Sequence, residues 1–444
     1  MSELAATSTE FANLVSNCMQ GLTPRRSLCR CSFFVAAGVF AIVQPAPART
    51  VAPRTTPADT PPADVNVGKN FTTGKLGSGL AVAASTAVSA GGAEAKWRPG
   101  TDESDLDLGA MARPVPLSAI FQDPGYHIWC STMIQGDDGK CHLYYSRWPR
   151  HLTQKAWVTH SEVAHAVADH AFGVFKPVDV ALPARGPEYW DGMTTHNPSV
   201  IRARDGKYYL YYMGTRGDGI VQQPLNWTHR NNQRIGVAVA DSPYGPWQRL
   251  DRPVLDVSAD QDAPDALVAN NPAVAQRPDG GFLMMYKAVA KKKPLPAGGP
   301  VTFLMASGDG PFGPFKKELK PMFGHDTLGV AAEDPFIWYG RDRYWAVVRV
   351  EGEPVQKDGT VIYDRKGASL VLYQSMDGFD WTPARHVLVA NLNLKWEVPR
   401  PEPMIAIQRP QVYFENGVPV AVLCVMTAFW DVRDGAYSVR IPLR

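Results

Sequence analysis

HNPSVIRARDGKYYLYYMGT (residues 196–215) reads as a β-hairpin. A polar pair and a proline precede an apolar strand, Asp-Gly turns the chain, and aromatic residues fill a second strand. The same order returns in NNPAVAQRPDGGFLMMYKAV from Asn270, EDPFIWYGRDRYWAVVRV from Glu333 and QRPQVYFENGVPVAVLCV from Gln408. A looser copy, WCSTMIQGDDGKCHLYYSRW, begins at Trp129. After the first four hairpins comes a second motif, such as VAVADSPYGPWQRLDRPVL (residues 237–255): a strand, a Gly-containing turn with an aromatic, then a fourth strand. The repeat starts lie about 63 to 75 residues apart. Four antiparallel strands taken five times predict an all-β fold, a five-bladed β-propeller over residues 97–444. No helical periodicity of useful length competes, and the four-strand period disfavours a β-sandwich or β-helix.

The segment before the repeats has another character. A basic stretch, TPRRSLCR, leads into the 12-residue apolar run SFFVAAGVFAIV and then Ala46-Pro47-Ala48. That is the order of a secretory signal over residues 1–48, and the run is too short to span a bilayer. The expected location is secreted or periplasmic, with no membrane association after cleavage. Residues 49–96, rich in Pro, Ala, Thr and Gly, read as a disordered linker. A net charge of +2 over 444 residues gives no nucleic-acid footprint. Outside the signal region three cysteines remain. Cys130 and Cys141 could face each other across a hairpin, and Cys424 reads as a core residue. The spacing suits no metal site. The sequence carries no signal for an oligomeric state.

In a propeller the innermost strand of each blade lines the central channel, so the five strand starts converge on one mouth. These are Trp129/Cys130, His196/Asn197, Asn270/Asn271, Glu333/Asp334 and Gln408/Arg409. Only the fourth brings two acids. A second set of carboxylates recurs upstream, at Asp123, Asp191 and Asp265, with Glu402 comparable; turn capping would also explain an Asp there. Loops between strands two and three open on the same face. The longest polar one, residues 214–234, carries Trp227, His229 and Arg230; blade one adds Arg147 and Trp148, and blade three adds Lys287. Carboxylates, amides and aromatic faces together suit a carbohydrate. Glycoside cleavage needs one protonated and one ionised carboxyl, and clustered acids raise one another's pKa.

The five blades, the Asp early in blade one, the Glu opening blade four and strands of the DGKYYLYY style resemble glycoside hydrolase families 43 and 117, and more distantly the invertase group. The resemblance implies a general base in blade one, a pKa-tuning acid in blade three and a proton donor in blade four. By position these are Asp123, Asp265 and Glu333, with Asp191 and His325 as reserves for base and donor. The substrate would be held by Trp129, Arg147, Asp191, His196, Asn197, Arg230, Asn271, Lys287, Asp334 and Arg409. The implied chemistry is hydrolysis of an oligo- or polysaccharide, exo-acting and inverting, with no required cofactor; relatives allow a structural Ca²⁺ in the channel. Two alternatives stay open. One is a phosphorylase of the family 130 type, with phosphate held by Arg409, His196, Arg230 and Lys287. The other is a noncatalytic sugar-binding propeller.

Overall fold

Strands whose two faces are both apolar need cover on both sides, and here neighbouring blades supply it. Tyr209 and Tyr211 of the second strand of blade two pack towards blade three, while Leu210 and Tyr212 pack towards blade one. That accounts for a YYLYY run with no polar face. Five apolar clusters, one between each pair of adjacent blades, join the blades into a ring. This computed structural model describes residues 105–323, 328, 330–357, 360–399, 404–427 and 436–444. All of them fall in the compact unit from Ala93 to Arg444. The expected signal region and linker, the reserve donor His325 and the upstream carboxylate Glu402 lie outside the described residues.

Each blade is a four-stranded antiparallel sheet. Blade one comprises Tyr126–Gln135, Cys141–Pro149, Glu162–Ala168 and Lys176–Leu182; blade two Thr194–Arg202, Tyr208–Thr215, Arg234–Ala240 and Gln248–Arg249. Blade three comprises Val268–Gln276, Phe282–Val289, Val301–Gly308 and Lys316–Met322. Blade four is built from Ala332–Gly340, Arg343–Val350, Ser369–Ser375 and Thr382–Asn391. Between its second and third strands it also inserts a hairpin, Glu353–Lys357 with Thr360–Asp364. The longest helix among the described residues is five residues, Trp227–Asn231, and none there is long and apolar enough to cross a membrane.

Blade five departs from the expected plan. Three of its strands, Ala406–Glu415, Val418–Thr427 and Tyr437–Pro442, come from the fifth repeat in the sequence. The fourth is the two-residue strand Ile120–Phe121 from before blade one, paired with Val439 and Ser438. Upstream of it, Leu108–Met111 straps across the outer strand of blade four, and Ala112 bridges onward to Leu443. The ring is therefore closed by both ends of the propeller, and each blade leaves only its inner and outer edge strands with an unpaired side. Among the described residues the three cysteines, Cys130, Cys141 and Cys424, are free and buried. Cys141 pairs with Gln135 instead of Cys130, which occupies a register break, so no bridge spans that hairpin.

The polar pairs sit inside the inner strands, not at their mouths. The register shifts at the pair in all five blades: between Trp129 and Ser131, His196 and Ser199, Asn270 and Ala273, Glu333 and Phe336, and Gln408 and Gln411. At each bulge the second member has positive φ: Cys130 45°, Asn197 54°, Asn271 49°, Asp334 58° and Arg409 55°. Asn and Asp enter this region most readily, whereas at Cys and Arg it costs roughly 1–3 kcal/mol. In four blades the next residue is Pro, which has no N–H for the interrupted ladder to leave unpaired. A bulge breaks the alternation of the strand, so both members of a pair can face the axis.

Candidate active site

The five bulges build two layers across the axis. The second residues form a ring. The Cys130 thiol donates to Asn197 Oδ1 (2.8 Å), Asn197 Nδ2 to Asn271 Oδ1, Asn271 Nδ2 to Asp334 Oδ1 (3.3 Å) and Arg409 Nη1 to the same Asp334 oxygen (2.9 Å). Burial pushes the Cys130 thiol pKa up, so it remains a donor. Beneath this ring lies only a 40 Å³ space, walled by the four prolines. Above it opens a cavity of about 580 Å³, in the size range of small-ligand sites. The first members of the pairs line it: Trp129, His196, Asn270, Glu333 and Gln408. The convergence expected from the repeat register is what the structure has, one layer deeper than the strand mouths.

Three tryptophans face this cavity, Trp129, Trp148 and Trp157. Trp148 and Trp157 flank the imidazole of His196, with ring centroids 5.9 and 5.0 Å away. His196 Nδ1 meets Ser161 Oγ at 2.6 Å. Burial, aided by the Arg409 charge, drives the His196 pKa well below its ordinary value, so the ring is neutral. Gln154, Lys155 and Trp157 were not singled out from the sequence. They lie in the loop between strands two and three of blade one, and the rule that flagged the blade-two loop applies equally to this one.

The two acids of blade four behave in opposite ways. Glu333 Oε1 accepts from Lys287 Nζ at 2.8 Å, and Arg349 Nη1 lies 3.8 Å from Oε2. Chiefly through Lys287, the Glu333 pKa falls from 4.5 to about 2. Burial instead pushes the Asp334 pKa up, against the pull of Arg409. Asn271 and Arg409 both meet Asp334 at Oδ1. The sequence expectation that crowding would keep Glu333 protonated is therefore corrected: a lysine from the neighbouring blade outweighs the neighbouring acid. Because the folded pKa of Glu333 is depressed, its ion pair stabilises the fold above pH 4.5 and is lost as pH falls towards 2. Acid titration of stability should show a loss in that window, and Glu333→Gln should remove this component; equal acid profiles for both proteins would contradict the pairing.

The upstream carboxylates do not line the cavity; each anchors a blade. Asp123 accepts from Tyr145 Oη (2.7 Å) and Arg147 Nη1 (2.8 Å). Asp191 accepts from Tyr212 Oη (2.6 Å), with Arg185 at 2.6 Å and Arg249 at 3.3 Å. Asp265 accepts from Tyr286 Oη (3.0 Å) and Lys317 Nζ (2.6 Å). All three are buried, and each tyrosine lies on the second strand of its own blade. The base and pKa-tuning roles expected for Asp123 and Asp265, and the substrate contact expected for Asp191, thus meet carboxylates already engaged by a phenol and a cation, although Asp265 keeps Oδ1 buried without a partner. Arg147 bridges Asp123 and Glu162 over the Tyr126 ring and stands away from the cavity wall. Arg230 lies on the rim loop. Asn197, Asn271, Lys287, Asp334 and Arg409 line the cavity as expected.

A channel Ca²⁺ does not fit these residues. Ca²⁺ takes six to eight oxygen ligands, whereas the one carboxylate of the axial ring is already paired with Arg409. Among the described residues no group of three or more His, Cys, Asp or Glu could hold a metal ion.

No family model matches this chain, and no curated protein does. Solved structures do match. One described as a glycoside hydrolase is 18% identical over 74% of this chain and 90% of its own, with a TM-score of 0.53. Another, a BT0996 complex with RGII, is 18% identical over 75% of this chain and 93% of its own, also at 0.53. Zg3597, a family 117 glycoside hydrolase of the marine bacterium Zobellia galactanivorans, is 15% identical over 73% of this chain and 88% of its own, at 0.49. The likeness to glycoside hydrolase propellers expected from the sequence is found, and at these identities it is a likeness of fold.

Proposed function

We propose that this chain hydrolyses a glycosidic bond at the axial cavity, taking its substrate end-on. One observation carries the reading: two adjacent carboxyl groups with opposed proton affinities share a cavity walled by tryptophans. A pair pushed apart in this way divides into an acid and an ionised partner. Asp334 is the donor to the leaving oxygen, and Glu333, held as the anion by Lys287, supports the positive charge that develops on the sugar ring. This moves the donor role from Glu333, where the sequence resemblance placed it, to Asp334, which was expected only to hold substrate. The tryptophans supply stacking faces, and the amides of Asn270 and Gln408 supply hydrogen-bond partners for hydroxyls.

The floor closed by the five-residue ring supports exo action, because a chain entering from one side presents its end. Inversion with Asp123 as base loses its support, since that carboxylate is held by Tyr145 and Arg147. Glu333 then serves as base or as nucleophile, and the anomer first released, read by NMR, separates them: inverted for a base, retained for a nucleophile. On a panel of plant and algal oligosaccharides, terminal units alone should be released; a ladder of internal fragments would rule out end-on binding. The signal pattern at the N-terminus supports action outside the cytoplasm.

Of the four phosphate-holding residues expected for a phosphorylase, Lys287 and Arg409 are tied to the acids of blade four, Arg230 donates to Asn231 and Ala297 on the rim, and His196 is neutral, which gives that alternative less support. A noncatalytic sugar-binding propeller would turn over no oligosaccharide on that panel.

A further inference from the structure

Charge around the axial cavity is unbalanced. Of the cations lining it, Lys287 is taken by Glu333, and Arg409 is fixed in the floor ring by its bond to Asp334 Oδ1. Lys155 is left over. It is exposed and meets no carboxylate among the described residues. It rides on the turn Gln154–Ala156 that runs into the helix Trp157–His160, so its ammonium and the Trp157 indole border the same side of the cavity.

The excess continues outward along a built rim. The helix Trp157–His160 touches Trp227–Asn231. From that second helix, Arg230 Nη1 donates to Ala297 O (2.9 Å) and Asn231 Nδ2 to Pro296 O (3.0 Å). These bonds pin the blade-three loop that carries Lys291, Lys292 and Lys293. Lys291 Nζ donates to the Gln261 amide oxygen (2.6 Å); Lys292 and Lys293 are exposed and meet no carboxylate among the described residues. Residues 150–161, 216–233 and 290–300 are the strand-two-to-three loops of blades one to three. Together they hold seven Lys and Arg against one acid, Asp218, in a chain whose net charge is only +2. A one-signed rim on a concave site concentrates ligands of the opposite sign.

We infer that the cavity selects an anionic sugar, carrying a uronate carboxylate or a sulfate ester, with Lys155 as the group that meets the anion and the basic rim drawing in the rest of the chain. This deepens the proposed function and rests on its placing the sugar in this cavity. A hydrogen-bonded charge pair of this kind changes affinity by roughly ten- to a hundredfold.

The test is calorimetric titration of the whole protein with three probes: a galacturonic acid trimer, a sulfated galactose oligomer and a neutral arabinose trimer, each at low and high salt, with reducing-sugar release followed in parallel. One anionic probe should bind at least tenfold more tightly than the neutral one, with the margin shrinking in salt. Which anionic probe wins tells carboxylate from sulfate. Lys155→Met should abolish most of the preference, Lys155→Arg should keep it, and the Lys292→Glu/Lys293→Glu double variant should weaken it. Equal or better binding of the neutral trimer, no binding of any probe, or a preference untouched by Lys155→Met would overturn the inference. Lys155-dependent binding of an anionic probe without cleavage would sink the hydrolase reading and leave this one standing. Neutral oligosaccharides cleaved equally by wild type and Lys155→Met would do the reverse.

Discussion

Replacing Glu333 by Gln should lower the rate of oligosaccharide cleavage by about a thousandfold, in the usual range for loss of a positioned acid–base group. The substitution keeps the size and hydrogen-bonding shape of the side chain and removes only its charge. That charge is what the site maintains: Lys287 lowers the Glu333 pKa to about 2, so the carboxylate is an anion at neutral pH. It faces the place where a sugar ring becomes positive, in a cavity whose walls exclude much of the water and so strengthen the interaction. Binding should change far less than turnover, because the tryptophan faces and the amides are untouched. Turnover within a few-fold of wild type would remove Glu333 from the chemistry. Lys287→Met makes the complementary test: the Glu333 pKa should rise, and the acid limb of the pH–rate profile should move to higher pH.

The second large effect is on stability. Asp191→Ala should cost about 3–5 kcal/mol, because it strips a buried carboxylate from two guanidinium groups and a phenol, leaving Arg249 without a counter-charge and Arg185 with the exposed Asp251 alone. For a domain of this size that corresponds to a fall in Tm of roughly 4–7 °C. Asp265→Ala should behave alike through Lys317 and Tyr286. In either variant the folded fraction should keep its kcat and KM. A collapse of kcat at unchanged Tm would instead return these aspartates to catalysis.

The repeat was legible because each blade restates it locally: a polar pair, a proline, an apolar strand, a turn. The sealing strand was not. Ile120–Phe121 is two residues long, too short to carry a period of its own, and only its distant partner gives it a place in a sheet. The bulges were hidden for a related reason, since register is a property of two strands. The aspartates were ambiguous one at a time, but a discriminating signal was present. Asp123, Asp191 and Asp265 are followed by Tyr145, Tyr212 and Tyr286 at separations of 22, 21 and 21 residues. A carboxylate that recurs with its own phenol belongs to the scaffold of each blade, whereas a reacting group is needed once. The protonation of Glu333 lay out of reach, because the lysine that decides it is 46 residues away in another blade.

The seal between the two ends of the ring also sets the order in which the molecule can be completed. Ser118 O accepts from Arg440 Nη2 across 322 residues, and Ser131 Oγ meets Ser438 Oγ across 307. During synthesis the strand Ile120–Phe121 emerges ahead of blade one, and its partner only after all the blades between them. Blades one to four can each form from contiguous chain, but the ring stays open, with the flank of blade one uncovered, until the strands of blade five bring Tyr413, Ala421 and Leu423 against it. Contacts this distant in sequence are slow to form and leave sticky intermediates exposed meanwhile. Arrival of blade five, which carries Arg409 into the ring beneath the cavity, is thus the event that lets the floor close, and the strand Tyr437–Pro442 then seals it against Ile120–Phe121.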